Sequence, residues 1–172
     1  MVGFRQIAHL WKQIEPGMIY GVPLSEGLVA PYLVLRKSKK SKTLLGKVFF
    51  VEIADAHLDI VDIDQWSGEI VRVSYLGITG GTWKRINNKA TYDVYKWQIP
   101  IFKNIYEPVC TQRDPNDFAI VIESYYNKDE ENTFANSLFG YIALENYVKL
   151  RIAEGNNYSR SKYLDSPCGR AG

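Results

Sequence analysis

The stretch "PGMIYGVPLSEGLVAPYLVLRK", residues 16–37, decides the fold expected for this chain. Two apolar runs flank a Ser-Glu-Gly turn, and this pattern predicts a β-hairpin. Further apolar runs follow at short spacing: "KVFFVEIAD", "EIVRVSYLGIT", "GTWKRINN", "YDVYKWQIPIF" and "FAIVIESYY". The segment "EPVCTQRDPND" before the last run is expected to be a loop, because prolines and asparagine mark it. Strands at this spacing favour a strongly curved antiparallel sheet or a small barrel.

Helices are predicted at both ends of the chain. Apolar residues recur at helical spacing in each: Phe4, Ile7, Leu10, Trp11 and Ile14 at the start, and Tyr141, Leu144, Val148 and Ile152 near the end. We therefore predict an α+β, β-rich single domain over residues 1–172. Its parts are a helix at 1–15, a β-rich core at 17–127, a helix at 133–154 and a loose tail at 156–172.

Composition narrows the class of protein. The 172 residues are 46% hydrophobic and suffice to bury one sizeable core. The net charge of +2 provides no global attraction to nucleic acid or to a membrane surface. Cys110 and Cys168 have no metal or redox spacing, and the N-terminus does not resemble a signal peptide. We expect a cytoplasmic protein without a membrane partner, and its oligomeric state stays open.

Catalytic residue types are scarce. The chain has two histidines, and it lacks both a nucleophile elbow and a phosphate-binding loop of the usual spacing. Asp55, His57 and Asp59 alternate, so an extended segment would place them on one side, where they could bind a metal or support an enzyme. A solvated acidic loop is the favoured interpretation, since no second histidine or cysteine motif supports the site. We expect no enzymatic activity, no cofactor and no bound metal.

Two charged segments are candidates for binding. An acidic stretch surrounds an aromatic anchor and would suit a partner with a basic cleft: Asp55, Asp59, Asp62, Asp64, Trp66 and Glu69. A basic segment could follow phosphates, together with exposed aromatics such as Tyr92, Tyr95 or Trp97: Arg36, Lys37, Lys39, Lys40 and Lys42. A solvated loop is the favoured interpretation of each segment, with Trp66 in the core. Asp129–Glu131 forms a second acidic cluster.

The opening hairpin resembles the immunity protein 26 family, bacterial antidotes encoded beside polymorphic toxins. The similarity lies in a Gly-led strand followed by an apolar strand, with Gly17, Tyr20, Val22, Pro23 and Leu24 and then Tyr32, Leu33, Val34 and Leu35. A later Gly-x-Trp step, Gly81 and Trp83, also matches, so the resemblance covers roughly residues 17–102. It implies an immunity protein that binds a cognate toxin domain and blocks it sterically. The alternative is a small barrel that binds nucleic acid through the basic segment.

Overall fold

The computed structural model describes residues 10–54, 63, 66–86, 93–94, 97–104, 106–127, 134–135 and 138–155. The strands within them are β1 (Ile19–Ser25), β2 (Leu28–Lys37), β3 (Thr43–Phe49), β4 (Ile53–Ala54), β5 (Gly68–Ser74), β6 (Lys84–Arg85), β7 (Phe102–Lys103), β8 (Val109–Arg113), β9 (Val121–Tyr126), β10 (Phe134–Ala135) and β11 (Leu138–Phe139). The helices are α1 (Leu76–Thr79) and α2 (Tyr141–Ala153), and Trp11–Gln13 forms a single 3-10 turn.

The strands form two mixed sheets. Sheet A has the order β11-β5-β3-β2-β1-β6, and β4 also pairs with β2. Sheet B has the order β10-β7-β8-β9. Most pairs are antiparallel, whereas β11 runs parallel to β5 and β10 parallel to β7. The β-rich prediction is therefore confirmed, but neither described sheet closes or curls strongly, so a barrel is not confirmed.

The predicted hairpin forms the centre of sheet A. β1 pairs with β2 antiparallel, with Tyr20 opposite Tyr32 and Ile19 opposite Leu33. Side chains of a strand alternate between the two faces of a sheet, and both faces of β2 are buried. Tyr32 joins the core cluster that includes residues of α2. Leu33 joins a second cluster on the opposite face. Sheet A therefore requires a covering layer on each side.

Sheet B supplies part of the second covering layer. Phe102 of β7 is fully buried with Leu45 of β3 and Phe118 of the turn before β9. Ile70 of β5 packs against the same group. These contacts hold sheet B over the β3–β5 part of sheet A, on the face opposite α2.

A close approach at the centre of sheet A requires a glycine. The ring of Tyr32 lies over Gly46 of β3, where a Cβ atom would come within 2.3 Å of the Tyr32 Cζ atom. The ring also contacts Trp83, with centroids 5.6 Å apart. Complete burial raises the pKa of Tyr32 well above its usual value. Any larger side chain at position 46 would therefore displace a fully buried tyrosine.

A buried ion pair fastens α2 to sheet A. Arg151 Nη1 donates to Glu69 Oε2 of β5 at 2.6 Å, and the side chains are 8% and 13% exposed. The Tyr147 hydroxyl donates to the same carboxylate oxygen. The Arg151 guanidinium carbon also lies 4.4 Å from the centre of the Phe50 ring. Nearby, Trp83 Nε1 donates to Glu145 at 2.8 Å, so two polar contacts orient the helix.

Several predicted element boundaries are wrong. The C-terminal helix begins at Tyr141 rather than at residue 133, because short strands occupy 134–135 and 138–139. The segment predicted as a loop contains β8, and the run "EIVRVSYLGIT" leaves the strand after Ser74 and turns into α1. Among the described residues, the run "GTWKRINN" contributes Lys84–Arg85 to a strand, and the run "YDVYKWQIPIF" contributes Phe102 as the start of β7. Residues 1–9, most of the predicted first helix, and the tail at 156–172 lie outside the described residues.

Glu69→Ala should lower the free energy of unfolding by about 3 kcal/mol, because it leaves the Arg151 charge buried without its carboxylate. The expected fall in melting temperature is roughly 6–12 °C for a chain of this size. Thermal melts followed by circular dichroism measure it. Glu123→Ala is the matched control, because Glu123 is exposed on β9. Equal melting temperatures for the two variants would contradict the role of the ion pair.

Candidate protein-binding site

β9 forms one edge of sheet B. It pairs with β8, and among the described residues no strand pairs with its other side. The Asn127 N–H donates to the Pro108 carbonyl at 2.9 Å, and Tyr126 lies opposite Val109. Because backbone direction alternates along an antiparallel strand, Ser124 and Tyr126 direct their N–H and C=O groups away from β8. These groups face outward at the edge of the sheet.

The side chains of β9 are unusually exposed for a strand so rich in apolar residues. Ile122 is 58% exposed, Tyr126 is 66% exposed and Val121 is 45% exposed. Tyr106, in the turn between β7 and β8, is 66% exposed. The bond from Asn127 to Pro108 places that turn beside the end of β9. We call Tyr106, Val121, Ile122, Ser124 and Tyr126 the β9 surface.

Two exposed carboxylates adjoin the β9 surface along the chain. Glu123 on β9 and Glu107 beside Tyr106 are both exposed. The Arg113 guanidinium carbon, by contrast, lies 5.5 Å from the centre of the buried Phe102 ring. Burial lowers the pKa of Arg113, and burial together with the Arg113 charge lowers the pKa of Arg72 to about 10. The β9 surface therefore combines exposed aromatics with exposed carboxylates, while the Arg113 charge faces the core.

The structure separates the described members of the predicted acidic surface. Trp66 packs edge-on against Phe49, with centroids 5.7 Å apart, in the cluster on the sheet B side. Glu69 lies on the opposite face of sheet A, bound to Arg151. Asp55, Asp59, Asp62 and Asp64 lie outside the described residues, so their role as partner contacts stays a prediction.

The basic segment is partly used by the fold itself. Arg36 donates to the backbone carbonyls of Val94 and Trp97 at 3.2 and 3.0 Å. Lys37 donates to the Trp11 carbonyl at 2.8 Å and lies over its ring at 4.6 Å. Three of the five cations are exposed at the turn: Lys39, Lys40 and Lys42. Of the proposed stacking aromatics, Trp97 packs against the core, and Tyr92 and Tyr95 lie outside the described residues.

Asp117 ties the basic turn to sheet B. The Ser38 hydroxyl donates to its Oδ1 at 2.6 Å, and the Lys40 backbone N–H donates to Oδ2 at 3.2 Å. The Ala119 N–H donates to Oδ1 at 3.0 Å. Burial alone would raise the pKa of Asp117, but the hydrogen bonds from Ser38 and from backbone N–H groups outweigh it and lower the pKa. This carboxylate joins the β2–β3 and β8–β9 turns.

Residue groups for catalysis are sparse in the described part of the chain. Within that part, no three His, Cys, Asp or Glu residues are close enough to hold a metal ion. Asp55, His57 and Asp59 are not among these residues. A hollow of about 170 Å³ lies beside the β1–β2 hairpin, and Lys84 is the one titratable residue among its described lining. No described helix is long and apolar enough to cross a membrane.

The sequence predicts β9 as a strand but does not place it at the edge of a sheet. The run "FAIVIESYY" is apolar enough to suggest a core strand. Two signals could have indicated an edge: Glu123 interrupts the apolar run, and the acidic cluster at 129–131 follows it closely. Neither signal reveals the outward direction of Ser124 and Tyr126, which depends on the pairing with β8.

Comparison with protein-family models, with curated proteins and with solved structures gives no match. The resemblance of the opening hairpin to immunity proteins therefore rests on the quoted residues alone.

Asp117→Asn should destabilise the protein at neutral pH by about 1 kcal/mol, because it weakens charge-assisted hydrogen bonds. The folded-state pKa of Asp117 lies below its usual value of 3.8. The Asp117 carboxylate therefore stabilises the folded protein fully at pH values above 3.8. This stabilisation is lost as the pH falls through the lower folded-state pKa. The difference in melting temperature between wild type and variant should therefore shrink in acid.

Asp114→Asn is the control for Asp117, because Asp114 accepts a local bond from the Asn116 N–H and no other hydrogen bond from a described residue. Melts recorded from neutral pH to strongly acidic pH provide the comparison. A difference between wild type and Asp117→Asn that stays constant with pH would refute the role of the Asp117 charge.

Replacing Lys39, Lys40 and Lys42 by Gln should leave both thermal stability and biological function unchanged if the turn is merely solvated. If the turn binds nucleic acid instead, the substitution should remove a salt-dependent affinity, with about one unit of salt slope per lost phosphate contact. Fluorescence anisotropy with single- and double-stranded oligonucleotides measures it. The triple replacement of the exposed Lys12, Lys84 and Lys149 is the charge-matched control.

Proposed function

We propose that this protein is an immunity protein that binds a bacterial toxin domain through the β9 surface and blocks it sterically. The observation that carries the proposal is an aromatic-rich strand whose outer edge and side chains are exposed. Interfaces are enriched in exposed tyrosine, which supplies contact area at low entropic cost. The resemblance of the opening hairpin supports the toxin as the class of partner.

The chemistry of the β9 surface defines the partner further. Outward N–H and C=O groups at Ser124 and Tyr126 favour an extended segment, because such a segment can add to a sheet edge through main-chain hydrogen bonds. Exposed Glu107 and Glu123 favour basic side chains beside that segment. A toxin that acts on nucleic acid has a basic cleft of this kind. Covering that cleft requires shape and charge but no catalytic group in the antidote.

The double substitution Ile122→Ala and Tyr126→Ala should abolish protection. Central apolar anchors contribute about 2 kcal/mol each to such complexes, so the two together should raise Kd by roughly 1,000-fold. Co-expression with the toxin domain encoded beside the gene measures protection, and titration calorimetry measures Kd. The fold should persist, since both side chains are largely exposed.

The matched control is Ile142→Ala with Leu150→Ala on α2, where the side chains are 56% and 52% exposed. This control removes similar exposed apolar area from another face of the molecule. Full protection by the β9 double variant would refute the β9 surface as the contact. Loss of protection in the control alone would move the contact to α2. A chain that protects against no neighbouring toxin would refute the immunity function itself.

A further inference from the structure

We infer that two copies of this chain pair through their β9 edges, antiparallel, to form a dimer joined across sheet B. The dimer follows from the backbone and side chains of β9 and needs no toxin. Its consequence rests on the proposed function: the dimer occupies the edge that the toxin would use, so toxin and second copy compete for it. Dimerisation would then keep the β9 edge from pairing with other strands until the toxin is present.

The backbone groups of β9 have a direction that suits pairing with another strand. Thr111 lies opposite Ser124, and Val109 lies opposite Tyr126. With the Asn127 N–H bonded to the Pro108 carbonyl, these opposed residues form the non-hydrogen-bonded pairs of the β8–β9 ladder. Ser124 and Tyr126 thus present donors and acceptors outward. An exposed edge of this kind is a template for another strand.

The β9 edge is complementary to itself. A two-fold axis at Ser124 sets Ser124 against Ser124 of the second copy, so the outward groups of the two strands meet. The same register brings Ile122, the extra residue of the β9 bulge, close to Tyr126 of the second copy, twice per dimer. Pairs of β-branched and aromatic side chains stabilise neighbouring strands. The interface is isologous, as expected for a symmetric dimer.

The charge on β9 is compatible with pairing between two copies. Like charges directly opposite each other destabilise a strand pair. Glu123 is the one charged residue of β9, and the proposed register places it opposite Tyr125 of the second copy. A register with the two-fold axis at Glu123 would instead place the two Glu123 carboxylates opposite each other. The sequence of β9 therefore permits pairing with itself.

The size of the contact limits its strength. The pairing register shifts between Gln112 and Arg113, and a bulge of this kind bends the start of β9 and weakens edge pairing. A six-residue strand also buries less area than a standard stable interface. We therefore expect a reversible dimer with Kd on the order of 10 µM.

The experiment tests the backbone directly. Ser124→Pro removes the outward N–H of residue 124 and leaves the ladder bonds to β8 in place, and edge strands tolerate proline at such positions. Ser124→Ala removes the hydroxyl but keeps the N–H, and it is the matched control. Sedimentation velocity from about 1 µM to about 1 mM measures association of each purified full chain across the expected Kd. Thermal melts check folding.

Wild type and Ser124→Ala should shift from monomer to dimer with concentration, whereas a folded Ser124→Pro should stay monomeric. Should Ser124→Pro fail to fold, Tyr126→Lys serves instead, because that exposed position can accept a charge that disfavours pairing with Ile122. A wild type that stays monomeric throughout, or a dimer that survives in the folded variants, would overturn the inference. Neither result affects the protection assay, so failure of the dimer and failure of the immunity function are distinguishable.

Discussion

Burial of β2 on both faces is the constraint on which the rest of the structure depends. A strand that places Tyr32 on one face and Leu33 on the other cannot be stable in a single exposed sheet. One layer must cover each face. α2 covers the first, and sheet B with the segments before it covers the second. The open sheets are thus the middle and outer layers of a packed molecule.

Two of the polar contacts that fix these layers to sheet A differ in exposure. Glu69 and Arg151 are nearly buried, so their geometry and the added bond from Tyr147 must compensate for the loss of water. Asp117 lies at a turn, where it gathers hydrogen bonds from two loops without complete desolvation. The first contact sets the position of a helix, and the second links two turns. Both contacts explain why charged residues lie inside the packed structure, although composition alone would place them on the surface.

The sequence predicted local structure better than the positions of individual side chains. The β1–β2 hairpin could be predicted because apolar runs, Gly27 and strand length all agree. The sequence places Glu69 in an acidic surface because four aspartates precede it within fifteen residues. Its spacing from Val71 and Val73 was the better signal, since residues two apart share a face of a strand. The partner Arg151 is distant in sequence, so no local pattern could have revealed the ion pair.

The β9 surface illustrates a different limit of sequence reasoning. Apolar content predicts a strand, but whether the strand lies in the core or at an edge depends on which neighbours pair with it. β8 was predicted as a loop because prolines and Asn116 flank it, although those residues lie beside the strand rather than within it. Without β8, the direction of the β9 backbone could not be inferred. An edge that exposes Ile122 and Tyr126 carries a risk of unwanted pairing, which a protein avoids at little cost by adding charge or proline. β9 has one glutamate, a bulge at its start and no proline, and among the described residues no strand pairs with its outer edge. That edge is the physical basis for proposing that the partner binds sheet B rather than the loops around it.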